Sequence, residues 1–149
     1  MLELARINPS RNPAEPFTGA APKVLAVGLA RTAEEIEQIQ RLRYEVFTED
    51  MGVVFPDAQD GIEHDRFDPF CEHLMVREMD TGRIVGTYRI LTPEKAREAG
   101  GYYSQSEFDL SGLGSIRDNL VEVGRSCTHA DYRNCLLYTS DAADEGLGV

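Results

Sequence analysis

The stretch EHLMVREMDTGRIVGTYRILTP, residues 72–93, constrains the fold most tightly. Two apolar runs of strand length flank Asp80, Thr81 and Gly82, a trio suited to a tight turn. So short a turn joins antiparallel neighbours, and the spacing predicts a β-hairpin. On its second strand, alternation places Val85, Thr87, Arg89 and Leu91 on one face and Ile84, Gly86, Tyr88 and Ile90 on the other.

Other elements gather around this hairpin. Residues 23–30, KVLAVGLA, form another apolar run of strand length. Thr32 followed three residues later by Glu35 is a capping-box pattern, and Ile36, Ile39, Arg43, Val46 and Phe47 lie along one stripe of the helix it opens, which ends near Gly52. Core packing accounts for the apolar members of the stripe. Arg43 is different, because a guanidinium among them needs a carboxylate or a substrate oxygen. Thr92 and Pro93 suit the start of a short helix that Gly100 stops, residues 101–119 read as irregular, and residues 120–128 as a last strand. The fold class is therefore α+β, a mixed, mostly antiparallel sheet flanked by helices.

The 149 residues suit one domain, and no apolar run approaches the ~18 residues of a membrane-spanning helix. Residues 1–22 hold Pro9, Pro13, Pro16 and Pro22 and read as a flexible leader without the apolar core of a secretory signal. Three cysteines, Cys71, Cys127 and Cys135, without metal-binding spacing fit a reducing cytoplasm. The net charge is −11, of which residues 1–134 carry −8, and such a chain is a poor partner for nucleic acid.

Chemistry concentrates in three places. Glu63, Asp65 and Asp68 fall within six residues of a loop and raise one another's pKa unless cations face them, the candidates being Arg43, Arg89, Arg125 or a ligand bearing ammonium groups. The loop lacks the spacing of an EF-hand, and His64 and His73 form no zinc pattern, so no metal site is expected. On the last strand, alternation puts Glu122, Gly124 and Ser126 on one side and Arg125, Cys127 and His129 on the other. Glu122 is costly to bury unpartnered, which either pairing or catalysis explains. Cys127 reads as a structural thiol before it reads as half of a thiolate–imidazolium couple with His129.

Taken in order, RLRYEVFTEDMG, GIEHDRFDPFCEHLMV, GTYRILTPEKAREAGGYYSQSEFDL and VEVGRSCTHADYRN resemble the bacterial L-ornithine N-alpha-acyltransferases. These belong to the Gcn5-related N-acyltransferase superfamily and are similar to the acyl-homoserine lactone synthases. The shared pattern falls here on Arg43 and Phe47, then Glu63, Asp65 and Asp68, then Arg89, then Glu122 and Arg125. The synthases usually carry a Trp soon after the Phe; this chain has none, which favours the ornithine branch.

The resemblance implies transfer of a fatty, commonly 3-hydroxy, acyl group from the phosphopantetheine thioester of acyl carrier protein to the α-amine of L-ornithine, with no permanently bound cofactor. Glu122, then Asp65, are the candidate bases; Arg43, Phe47, Glu63, Asp68, Arg89 and Arg125 the substrate-binding set; and Ser126, Cys127 and Thr128 the acyl-donor site. An acidic carrier protein needs a basic patch, for which Arg31, Arg41, Lys95 and Arg97 are candidates. A fatty product implies contact with the inner-membrane surface. Two alternatives stay open: a transferase of the acetyl-coenzyme A or homoserine-lactone type, and a non-catalytic module that binds the acylated carrier.

The family's DYRN continues into Gly and a helix. Here Asn134 is followed by CLLYTSDAADE, which resembles a transposon-derived sequencing adaptor translated in frame. The expected organisation is a leader (1–22), a truncated N-acyltransferase domain (23–134) whose C-terminal strands and helices are missing, and a non-native tail (135–149). On that reading the 149-residue chain is inactive and marginally folded.

Overall fold

The computed structural model describes residues 3–6, 23–56, 58 and 60–133, the first four as backbone. The described strands are β1 (Glu3–Arg6), β2 (Val24–Leu29), β3 (Glu72–Glu78), β4 (Ile84–Leu91) and β5 (Glu122–Thr128), with helices α1 (Ala33–Glu49) and α2 (Pro93–Glu98). The strands lie side by side in chain order, and every described pairing is antiparallel. The hairpin, both helices and the last strand stand where the sequence places them. Strand β1 is an addition, formed within the stretch read as a leader and paired with β2. The rest of 1–22 and the tail at 135–149 lie outside the described residues.

The capping box opens α1 as predicted. Thr32 Oγ1 accepts from the Glu35 N–H at 3.2 Å, and Glu35 Oε2 accepts from the Thr32 N–H at 3.1 Å. At the other end Gly52 takes φ +63°, which lets the Val53 N–H reach back to the Phe47 carbonyl at 3.0 Å and close the helix. The buried stripe of α1 is Ile39, Leu42, Arg43 and Val46. It packs with Ala30, Met75, Ile84 and Cys127 on one face of the sheet. Leu25, Val76, Val85 and Tyr132 form a core on the other face, and Phe67, Leu91, Ala96, Ala99 and Tyr102 form a third under α2. Ile39 is wholly buried, so truncation to Ala would cost about 2–5 kcal/mol.

Two bulges overturn side-chain directions expected from alternation. Between β3 and β4 the register slips, with Val76 opposite Gly86 but Arg77 opposite Ile84. The extra residue, Val85, turns to the face opposite α1 and Ile84 turns towards α1, so Val85 does not share the Thr87 and Arg89 side. Between β4 and β5, Thr87 faces Cys127 but Arg89 faces Gly124, leaving two residues, Arg125 and Ser126, against Tyr88. Arg125, the first of the two, takes a left-handed φ of +53°, as the first residue of a G1-type bulge does.

Candidate active site

Site geometry begins where the acidic loop folds back on α1. The Glu63 N–H donates to the Gln40 carbonyl at 3.1 Å, and the Phe67 N–H donates to Asp65 Oδ1 at 2.8 Å. Glu63 and Asp68 thereby face Arg43, the one arginine on the buried stripe of α1, while Asp65 turns to the arginines of the sheet. Arg43 Nη1 and Nη2 grip Asp68 bidentately at 3.2 and 2.5 Å, and Nη2 also donates to the Glu63 carbonyl at 2.7 Å. Its Nε lies 2.7 Å from Glu63 Oε2, an ion contact whose N–H is not aligned for a hydrogen bond. From β4, Arg89 Nη1 donates to Asp65 and Asp68 at 2.7 Å each. From β5, Arg125 reaches Glu63 at 3.1 Å and Asp65 at 3.2 Å.

Signs alternate through this network, so its three positive and three negative charges cancel. Burial drives the Asp68 carboxyl up, but Arg43, Arg89 and Gln40 outweigh it and hold Asp68 below the usual carboxylate range. Burial opposes the charge on Arg89 and Arg125 as well. Asp65 and Asp68 on Arg89, and Tyr103 with Glu63 on Arg125, still leave both above the ordinary guanidinium value. His73 is pushed down by burial, and its Nε2 lies 3.1 Å from the Asp68 carbonyl, which fixes that nitrogen as the N–H donor.

The arginines, then, are the cations that the loop acids require. Arg43, Glu63 and Asp68 are only 1%, 2% and 7% exposed and turn towards their network partners, so their geometry is that of a support for Arg89 and Arg125. Among the described residues no group of three or more His, Cys, Asp or Glu is arranged to hold a metal ion. Phe47 is half-buried, packed against the α1 core with its ring 6.4 Å from that of Phe55.

The β5 bulge corrects a second expectation. Alternation separates Glu122 from Arg125, yet both line one cavity of about 290 Å³ together with Arg89, Tyr103, Ser104 and Glu107. The added residue reverses the pleat, so Glu122 before it and Cys127 after it face the same side. Tyr103 and Ser104, absent from the sequence-based set, organise this cavity. Glu122 Oε1 accepts from the Tyr103 N–H at 2.9 Å; Oε2 accepts from the Ser104 N–H at 2.8 Å and from the Ser104 hydroxyl. The Tyr103 ring lies under the Arg125 guanidinium at 4.9 Å and meets Phe67 edge-on at 5.8 Å. Only the pair of aromatics in GYYSQS hinted at this, because the turn from Tyr103 to Ser106 carries no apolar period.

The proposed donor residues lie along β5, which with β1 is one of the two edge strands among those described. Ser126 is exposed, Thr128 half-buried and Cys127 buried. Burial pushes the Cys127 thiol up to about 12, which agrees with a structural thiol and not a thiolate nucleophile. His129 Nε2 instead lies 3.3 Å from Glu45. Each cation of the expected basic patch is paired locally: Arg31 with Glu72, Arg41 with Glu37, Lys95 with Glu98 and Arg97 with Glu94.

Comparison with known proteins agrees with this architecture. The acetyltransferase (GNAT) domain family matches residues 42–139, and the chain belongs to that family. Within the superfamily it is closely related to the bacterial L-ornithine N-alpha-acyltransferases. It is 42% identical over 121 residues to the L-ornithine N(alpha)-acyltransferase of Rhodobacter capsulatus (76% of this chain, 47% of that one), and 40% identical over 119 residues to that of Brucella abortus (74% and 42%). The chain thus spans less than half the length of these curated relatives. Its fold is similar to the crystal structure of the AHL synthase LasI, with a TM-score of 0.56 at 19% identity over 81% of this chain and 64% of that one.

Proposed function

We propose that the chain forms the acceptor side of an N-acyltransferase moving a fatty acyl group, commonly 3-hydroxylated, from acyl carrier protein to the α-amine of L-ornithine. The observation that carries the reading is the cavity at the β5 bulge, where Glu122 and Arg125 stand together. A carboxylate oxygen has two acceptor positions, and Glu122 Oε1 uses one of them, so the other is open to an amine or a water. Among the described residues Arg125 Nη1 meets no carboxylate, and it suits the amino-acid carboxylate. Glu122 ranks ahead of Asp65 as base because both oxygens of Asp65 already face guanidinium groups.

In the step itself, the α-ammonium loses a proton to Glu122 or to water held there, and the amine attacks the thioester carbon. Collapse of the tetrahedral oxyanion breaks the carbon–sulfur bond and forms the amide, and the phosphopantetheine thiolate released takes up the second proton that the nitrogen loses. The outward backbone N–H groups of β5 around Ser126 and Thr128 are suited to the oxyanion. No cysteine takes part. A fatty product would bring the cytoplasmic enzyme to the inner leaflet, near the exposed Phe108, Ile116, Val121 and Val123.

The test offers 3-hydroxyacyl carrier protein or acetyl-coenzyme A with ornithine and other amines, and detects products by mass spectrometry. Two proteins are compared: the 149-residue chain, and the same chain continued from Asn134 by the C-terminal part of the Rhodobacter capsulatus relative. N-acylornithine should form from the carrier-bound donor in the continued chain, and Glu122→Gln should abolish turnover while donor binding survives. Transfer from acetyl-coenzyme A alone, or to an acceptor other than ornithine, overturns the proposal. Charge reversal at Arg31, Arg41, Lys95 and Arg97 should raise KM for the carrier protein; an unchanged KM removes the patch.

A further inference from the structure

The cavity at the β5 bulge carries a charge imbalance that the buried network does not resolve. Arg43, Arg89 and Arg125 are balanced by Glu63, Asp65 and Asp68. Two further carboxylates line the cavity, Glu122 and Glu107, and neither has a cationic partner among the described residues. The cavity therefore holds two anionic groups in excess, beside an Arg125 Nη1 that meets no carboxylate among the described residues. Its complement is a small molecule with two cationic groups and one carboxylate.

One turn brings the two acids to the same cavity. Ser104 donates through its N–H and hydroxyl to Glu122, while its carbonyl accepts from the Glu107 N–H at 3.1 Å and the Phe108 N–H at 2.8 Å. Glu122 thus sits at the start of the Tyr103–Ser106 turn and the Glu107 backbone at its end. Phe108 and Leu91, the latter paired with Glu122 and so on its face of the sheet, add apolar lining to the cavity, suited to a methylene chain between two charged ends. About 290 Å³ is at the small end of ligand pockets, with room for a small ligand such as a free amino acid.

We infer that Glu107 is the specificity determinant for a basic α-amino acid, binding its side-chain ammonium while Glu122 meets the α-ammonium and Arg125 the carboxylate. The inference rests on the acceptor reading above and deepens it: Glu122 serves any α-amino acid, whereas Glu107 selects those with a second cation at the far end.

The test measures binding of ornithine and norvaline, its analogue lacking the side-chain amine, to the 149-residue protein by titration calorimetry. Glu107→Gln and Glu107→Asp accompany the wild type. Glu107 is solvent-exposed, so neither substitution disturbs a buried contact. Ornithine should bind the wild type more tightly than norvaline. In Glu107→Gln the ornithine affinity should fall about two- to five-fold, as for loss of one solvent-exposed charge pair, with norvaline unchanged and Glu107→Asp retaining part of the preference. An ornithine-to-norvaline ratio that Glu107→Gln leaves unaltered overturns the Glu107 assignment and leaves the acceptor site standing. Wild type that binds neither amino acid overturns both.

Discussion

Replacing Asp68 by Asn tests the buried network at its most connected member. Asp68 accepts from Arg43 Nη1 and Nη2, from Arg89 Nη1 and, at 3.1 Å, from Gln40 Nε2. The amide keeps the shape but removes the charge facing two buried guanidiniums and turns an NH₂ group towards one of them. Breaking a buried ion pair from one side costs about 3–5 kcal/mol. Arg43 keeps Glu63 and Arg89 keeps Asp65, which places the expected loss near ~3 kcal/mol. Against a domain stability of about 5–15 kcal/mol this is severe. With a urea slope of about 1–3 kcal/mol per molar, the midpoint should fall by ~1–3 M, followed by circular dichroism at neutral pH. The pH dependence has a definite sign. Asp68 is held below its ordinary value when folded, so its contribution is present above the unfolded carboxylate pKa of about 3.9 and fades as pH falls through the folded value. The gap between wild type and variant should therefore close in strong acid. A loss under ~1 kcal/mol at neutral pH, or a gap that persists below the folded titration, would refute the network as a source of stability.

Further outcomes follow from individual contacts. Arg125→Gly and Arg125→Ala both lose the contacts to Glu63 and Asp65, but at φ +53° glycine avoids the Cβ clash, so the Gly variant should be about 1 kcal/mol more stable than the Ala variant in the same denaturation assay; equal stability would contradict the left-handed bulge. Thr32→Ala removes the side-chain acceptor of the capping box and should cost about 1 kcal/mol, whereas no change in midpoint would mean the cap is formed without it. Cys127, with its thiol pushed up to about 12, should resist iodoacetamide at neutral pH in the native protein and label after unfolding, as read by peptide mass mapping; rapid native labelling would place it outside the core.

Elements set by local chemistry were legible in the sequence: the capping box at Thr32, the hairpin turn at residues 80–82, the Thr92–Pro93 helix start and the anomalous Arg43 on an apolar stripe. So was the demand of Glu63, Asp65 and Asp68 for cations, although which cations only the tertiary structure decides. What escaped were the bulges. Whether Arg125 is an extra residue depends on how β5 docks on β4; the isolated Gly124 beside it is a bulge signal in VEVGRSCT, but it does not say which residue is added, and a non-glycine residue seldom takes the left-handed conformation. Tyr103 and Ser104 escaped for a related reason: their roles come from backbone N–H groups aimed at Glu122, which residue identity does not encode.

The salt-bridge cluster draws its six members from a helix, a loop and two strands, with Arg125 lying 62 residues beyond Glu63. Its parts meet late. On a growing or refolding chain, Arg43 and the loop acids exist long before the final strand can reach them, and such distant closures are slow. The pocket thus reports on completed assembly: a mispaired final strand leaves the acids short of one cation and brings no Glu122 to the Ser104 turn, so a misfolded molecule forfeits its binding site along with its stability.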